Sequence, residues 1–104
     1  ADIKISAVGA GGHVKFVTTG SDRWYVEGTN GHFLPQTDNT YDIGSTSLRV
    51  RNVYTTDLQL SNEGKTNDVD GTWGNYTIQE GENDLFLINN RSGKKYKFNL
   101  TEVL

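Results

Sequence analysis

Cysteine and methionine are absent from this 104-residue chain, and proline occurs once, at Pro35. Without cysteine there is no disulfide framework and no thiolate metal site, and the redox compartment stays open. Alanine appears only at Ala1, Ala7 and Ala10, and no window carries apolar residues at helical spacing, so helices are not expected. Long apolar runs are missing too. None approaches the ~18 residues that span a bilayer, and no signal-peptide pattern leads the chain, so no membrane insertion is expected. Excess positive charge is also lacking: a net charge of −3 and a pI near 5.2 argue against a nucleic-acid partner.

Apolar material itself is scarce. Hydrophobic residues make up 34% of the chain and mean hydropathy is −0.61, below the ~45–50% apolar usage of ordinary globular domains. A compact monomer with a deep core is therefore a strained reading, and small chains of this kind usually lean on partner chains or repeats. The start at Ala1, without methionine, reads as an excised or processed piece.

What is present favours strands and turns. Threonine, asparagine and glycine together make up about a third of the chain. The first prefers extended backbone, and the other two tolerate tight turns. Ile3 and Ile5 alternate with polar neighbours; "HVKFV" puts Val14 and Phe16 on one face; "RWYVE" sets Trp24 and Val26 against Tyr25 and Glu27. Asn30-Gly31, ahead of Phe33 and Leu34, predicts a two-residue hairpin turn, and Pro35 ends that strand. "NEGKTNDVDG" reads as a polar connector. Beyond it, "WGNYTIQE", "DLFLIN" and "KKYKFNL" predict a three-stranded antiparallel meander over Trp73–Leu100, with Gly93 left-handed in the last hairpin loop. The expectation is an all-β protein of short antiparallel strands and hairpins, divided into residues 1–62 and a meander at 63–104.

The segment "LPQTDNTYDIGSTSLRVRNVYTTDLQLS", Leu34 to Ser61, resembles one common in bacteriophage tail fibres and tailspikes. There a P-x-x-D-N-x-x-D-(I/L)-G-S-x-S-x-R-(W/V)-(R/K)-N-(V/I)-Y pattern often precedes a self-cleaving intramolecular chaperone. Pro35, Asp38, Asn39, Tyr41, Asp42, Gly44, Ser45, Ser47, Arg49, Asn52, Val53 and Tyr54 all fit, over about a quarter of the chain. The chain departs from the family after Ser61, where Asn62-Glu63-Gly64-Lys65 leads into the meander and no helical chaperone follows. Self-cleavage is therefore not carried over to Ser61. The final group, from Asp70 to Phe98, is similar to an alternative C-terminal cap of phage structural proteins. The resemblance implies a homotrimeric fibre with residues 1–62 as shaft and 63–104 as cap. Its place would be the virion, its partners other phage tail proteins, with a host cell-surface glycan as a further partner. Gly44 would occupy a tight turn between apolar strand residues.

Several motifs suggest chemistry, and each has a plainer reading. His13 and His32 have no second ligand at close spacing, so no metal site is expected. "TNDVDGTWGNYT" hints at a calcium loop through Asp68 and Asp70, but Thr66 and Thr77 stand where carboxylates are needed. "GAGG" at Gly9–Gly12 precedes a strand and reads as a turn, not a phosphate cradle requiring a cofactor. No nucleophile elbow is present, and the piece is too short for a β-helix groove, so a non-enzymatic role is expected over a polysaccharide-depolymerase fragment. Asn75, Asn90 and Asn99 start sequons that such a rich supply of Asn, Ser and Thr produces by chance. Arg91, Lys94, Lys95 and Lys97 face an acidic turn of Glu80, Glu82 and Asp84, which predicts cross-strand charge pairing, with an anionic polysaccharide as the lesser reading. Trp73 and Tyr76, with Asn75 and Asp70 beside them, form the candidate glycan contact of a receptor-binding tip, because exposed aromatics stack on sugar rings. The competing reading puts Trp73 in the trimer core.

Overall fold

The structure, a computed structural model, describes residues 2–104. It is all-β: seven strands form two antiparallel sheets, and the described residues contain no helix. The chain divides into two compact units, Ala1–Arg51 and Asn52–Leu104, with one sheet in each.

In the first unit, strands β1 (Val14–Thr18), β2 (Ser21–Val26) and β3 (Phe33–Pro35) pair in that order. The two-residue hairpin turn is Thr19-Gly20, not Asn30-Gly31. Thr18 pairs with Ser21, and both central residues are left-handed, at φ 50° and 72°, as the right-handed strand twist demands. Between β2 and β3 the loop has six residues instead, Glu27 to His32. The Glu27 amide donates to the His32 carbonyl, the Gly31 amide donates to the Glu27 carbonyl, and only Gly31 is left-handed, at φ 74°. The ladder stops at Val26–Phe33 because Gly28 is already engaged. Its amide donates to His13 Nδ1 at 2.9 Å, and a Cβ there would run into the Gly12 carbonyl.

The pairing puts Val14, Phe16, Trp24, Val26 and Phe33 on one face of this sheet. Phe33 stacks on Trp24 with centroids 5.0 Å apart and meets Phe16 edge-on at 5.8 Å. A bulge between Phe16 and Val17 leaves Arg23 without a partner in the β1 register. Arg23 turns to Thr18 Oγ1 (2.9 Å) and Tyr41 Oη (3.2 Å), and its guanidinium lies 5.4 Å from the Tyr41 ring centre.

Two strand expectations fail. Ile3 and Ile5 alternate but find no partner strand, and Ile3 is 95% exposed. Residues 36–57 likewise contain no strand, so Ile43, Leu48 and Val53 stand exposed among turns. Alternation supplies a face, but a strand also needs a neighbour to satisfy its backbone. Within this stretch Gly44 is left-handed at φ 85°, and the turn closes when the Ser45 amide donates to the Leu48 carbonyl (2.9 Å) and the Leu48 amide to Ser45 Oγ (3.0 Å).

In the second unit, β4 (Leu58–Ser61), β5 (Asn75–Glu80), β6 (Leu85–Asn89) and β7 (Lys95–Lys97) form a four-stranded sheet in sequence order. The expected three-stranded meander gains Leu58–Ser61 as its fourth strand. The division accordingly falls after Arg51 and not after Asn62. The reason is the supposed connector, which folds back on itself. Asn62 Oδ1 accepts from the Gly74 amide at 2.8 Å, and the Asn62 amide donates to the Gly74 carbonyl at 3.3 Å. Leu58 is thereby set opposite Ile78, and Leu60 opposite Tyr76.

Register sorts this sheet into two unlike faces. Leu58, Leu60, Tyr76, Ile78, Leu85, Leu87 and Tyr96 share one. Gln59, Asn75, Thr77 and Gln79 share the other with Phe86 and Ile88. The polar face is hydrogen-bonded within itself: Thr77 Oγ1 donates to Gln59 Oε1 (2.7 Å) and accepts from Asn90 Nδ2 (2.9 Å). Thr77, 6% exposed, is the only buried residue among the described residues; no apolar residue is buried. Each sheet keeps part of its apolar face exposed: Phe16 and Phe33 in the first unit, Leu58, Leu60 and Tyr96 in the second.

Candidate functional site

The hairpin loop between β6 and β7 builds an organised polar cluster in the second unit. Its ends close as those of the β2–β3 loop do: the Asn89 amide donates to the Lys94 carbonyl (2.9 Å), and the Gly93 amide, at φ 77°, donates to the Asn89 carbonyl (2.8 Å). Asn89 Oδ1 accepts from the amides of Arg91 (3.0 Å) and Ser92 (3.2 Å), an Asx turn that fixes where Arg91 leaves the backbone. The Arg91 guanidinium then lies 3.7 Å from the Trp73 ring centre, and Nη1 donates to the Trp73 carbonyl at 2.9 Å. Stacking and hydrogen bond together hold the planar group in one orientation.

Trp73 precedes β5, and Gly74 leaves room for the Tyr76 ring, which a Cβ there would meet at 2.7 Å. Thr72, Trp73, Tyr76, Asn89, Arg91 and Ser92 line an open groove of about 440 Å³. The expected glycan contact is therefore half assembled. Trp73 and Tyr76 line this groove, whereas Asn75 and Asp70 do not. Asn75 lies on the opposite face of β5, where its Oδ1 accepts from Asn90 Nδ2 at 3.0 Å. Asp70 is spent on its own loop. Its Oδ1 accepts from Thr72 Oγ1 (2.7 Å), Asn67 Nδ2 (2.8 Å) and the Thr72 amide (3.1 Å). These bonds, the Thr72 hydroxyl first and Asn67 next, hold the Asp70 carboxyl below the usual carboxylate range. Asn67 completes the loop by accepting from the amides of Val69 and Asp70.

Arg91 is the residue that sequence reasoning assigned elsewhere, to a basic cluster paired with the acidic turn. No such pairing forms; the only ion pair among the described residues is Lys15–Asp22 at 2.9 Å, in the first unit. The register explains this. Lys97 stands opposite Phe86, Lys95 opposite Ile88, and Glu80 opposite Leu85. The hint that Arg91 differs from the lysines was its place in "NNRSGK", inside a turn and not on a strand.

The remaining motifs are accounted for locally. His13 accepts the Gly28 amide and its ring lies 5.0 Å from that of Tyr25. His32 closes the β2–β3 loop through its carbonyl. Gly9–Gly12 form a turn, the Gly12 amide donating to the Gly9 carbonyl at 3.3 Å. Comparison of the chain with families of known proteins, with curated proteins and with solved structures finds no match.

Proposed function

We propose that this chain is a structural piece of a bacteriophage tail fibre or tailspike that works as a homotrimer in the virion, without catalysis. The observation that carries the reading is the exposed apolar surface of both sheets, with no apolar residue buried among the described residues. The chain exposes 9451 Å², whereas two separate globular units of half its mass would together present about 7,000 Å². The excess, about 2,400 Å² per chain, comes from the sheets together with the strand-free segments such as residues 36–57, and a surface of this size is available for contacts between copies. The need for a cover comes from the faces; the number three comes from the resemblance of Leu34–Ser61 to fibre segments. Copies arranged about an axis would also cover the strand edges at β4 and β7, which a lone chain leaves open.

Sedimentation equilibrium at micromolar concentration tests the reading. The expected species has about three times the 11.5 kDa chain mass. A single species of 11.5 kDa would refute it.

A further inference from the structure

We propose that the groove between Trp73 and Arg91 binds a carboxylated sugar, a uronic acid unit of an acidic glycan. The guanidinium of Arg91 makes one hydrogen bond among the described residues, Nη1 to the Trp73 carbonyl, and no ion pair. Its remaining N–H groups point along a plane already fixed by the indole 3.7 Å away. A planar cation whose orientation is set beforehand is the preferred partner of a carboxylate, which it grips through two parallel hydrogen bonds. The chain has thirteen acidic residues and a net charge of −3, yet none of those carboxylates is bonded to Arg91.

The rest of the groove matches a sugar ring and not a bare anion. Tyr76 offers an aromatic surface and a hydroxyl, reached by Asn89 Nδ2 at 3.5 Å. The Ser92 and Thr72 side chains border the same space. Aromatic surface from Trp73 and Tyr76 beside several polar groups, in a groove of about 440 Å³, suits one saccharide unit with its hydroxyls. Arg91 covers one face of the indole, so no neutral sugar can stack on that face. The stacked pair therefore selects for charge, where a bare tryptophan would accept neutral rings. Every group involved belongs to one chain, but Tyr76 and Asn89 share the face of Leu60 that the proposed trimer would cover, so the site requires an assembly that leaves this end of the face open.

The test is nuclear magnetic resonance titration of the ¹⁵N-labelled chain with glucuronate, with glucose and with acetate, its mass being measured on the same samples. Glucuronate should shift the Trp73 indole N–H and the Arg91 Nε–H saturably while leaving the Trp24 indole unmoved. Glucose and acetate should bind at least tenfold more weakly. Arg91→Lys, which keeps the charge and loses the fork, should weaken glucuronate at least tenfold without changing the sedimented mass. Equal binding of glucose overturns the selection for charge, and equal binding of acetate reduces the site to a simple anion contact. Absence of saturable shifts, or undiminished binding by Arg91→Lys, also overturns the proposal. A monomeric mass with selective glucuronate binding would remove the trimer and leave this site standing.

Discussion

Replacing Leu60 with asparagine separates a covered sheet face from one that stays in water. Leu60 pairs with Tyr76 on the apolar face and is 47% exposed in the single chain. Full burial of a leucine stabilises by about 1.5–3 kcal/mol, so covering the remaining half contributes about 1 kcal/mol per chain. An asparagine amide enclosed there without partners costs about another 1 kcal/mol at least. Three copies raise the loss to about 6 kcal/mol, roughly 10,000-fold in the trimer association constant at 1.4 kcal/mol per tenfold. Val69→Asn is the control, because Val69 is 96% exposed on the β4–β5 loop and outside either face. Sedimentation equilibrium across a concentration series should show Leu60→Asn dissociating where Val69→Asn stays assembled. If the two variants sediment alike, the apolar face of β4–β7 is not the contact, and the area argument loses its location.

Three further outcomes follow from the turns. Thr19→Asn should raise stability by about 0.5–1 kcal/mol, because asparagine tolerates the left-handed backbone that a β-branched residue adopts at a cost; a lower melting temperature would refute the turn assignment. Gly44→Val should reduce soluble yield more than Gly64→Val, although both glycines sit at φ 85°. Only at Gly44 would a Cβ also meet backbone, the Leu48 carbonyl oxygen at 3.1 Å, while Gly64 faces open space; equal yields would contradict this. Asp70 has a folded-state carboxyl held below 3.8 by Thr72 and Asn67. Its contribution is present above the unfolded value and lost as pH falls through the lowered one. Melting curves from pH 5 to pH 2 should therefore fall more steeply for the native chain than for Asp70→Asn, and parallel curves would count against that role.

Much of the fold was legible because the strand residues alternate cleanly where a partner strand exists. "HVKFV", "RWYV", "NYTIQE" and "LFLIN" all pair as strands. Alternation misled at Ile3 and Ile5, since period two in a sequence says nothing about what lies alongside. The tight turn was misplaced for a related reason: Asn30-Gly31 has the usual composition, but His13, far away in sequence, takes the Gly28 amide and keeps the ladder from reaching it. Thr19-Gly20 lacks that composition and turns anyway, because the strands on either side impose the geometry. At the site, Trp73 and Tyr76 were legible as aromatics beside a glycine. Asn75 was not separable from them in sequence, because neighbours on a strand point to opposite faces. Arg91 reaches Trp73 across 18 positions, a distance no local pattern reports.

The clasp between Asn62 and Gly74 also decides where this protein can vary. Both ends of the β4–β5 excursion are tied at the sheet, so its tip hangs from a fixed base. Doubling such a loop costs only about 0.6 kcal/mol in closure entropy. Insertions between Glu63 and Asn67 would leave the β4–β5 register untouched. Foreign peptides or new recognition sequences grafted there would inherit a mounting that the rest of the chain does not have to re-learn.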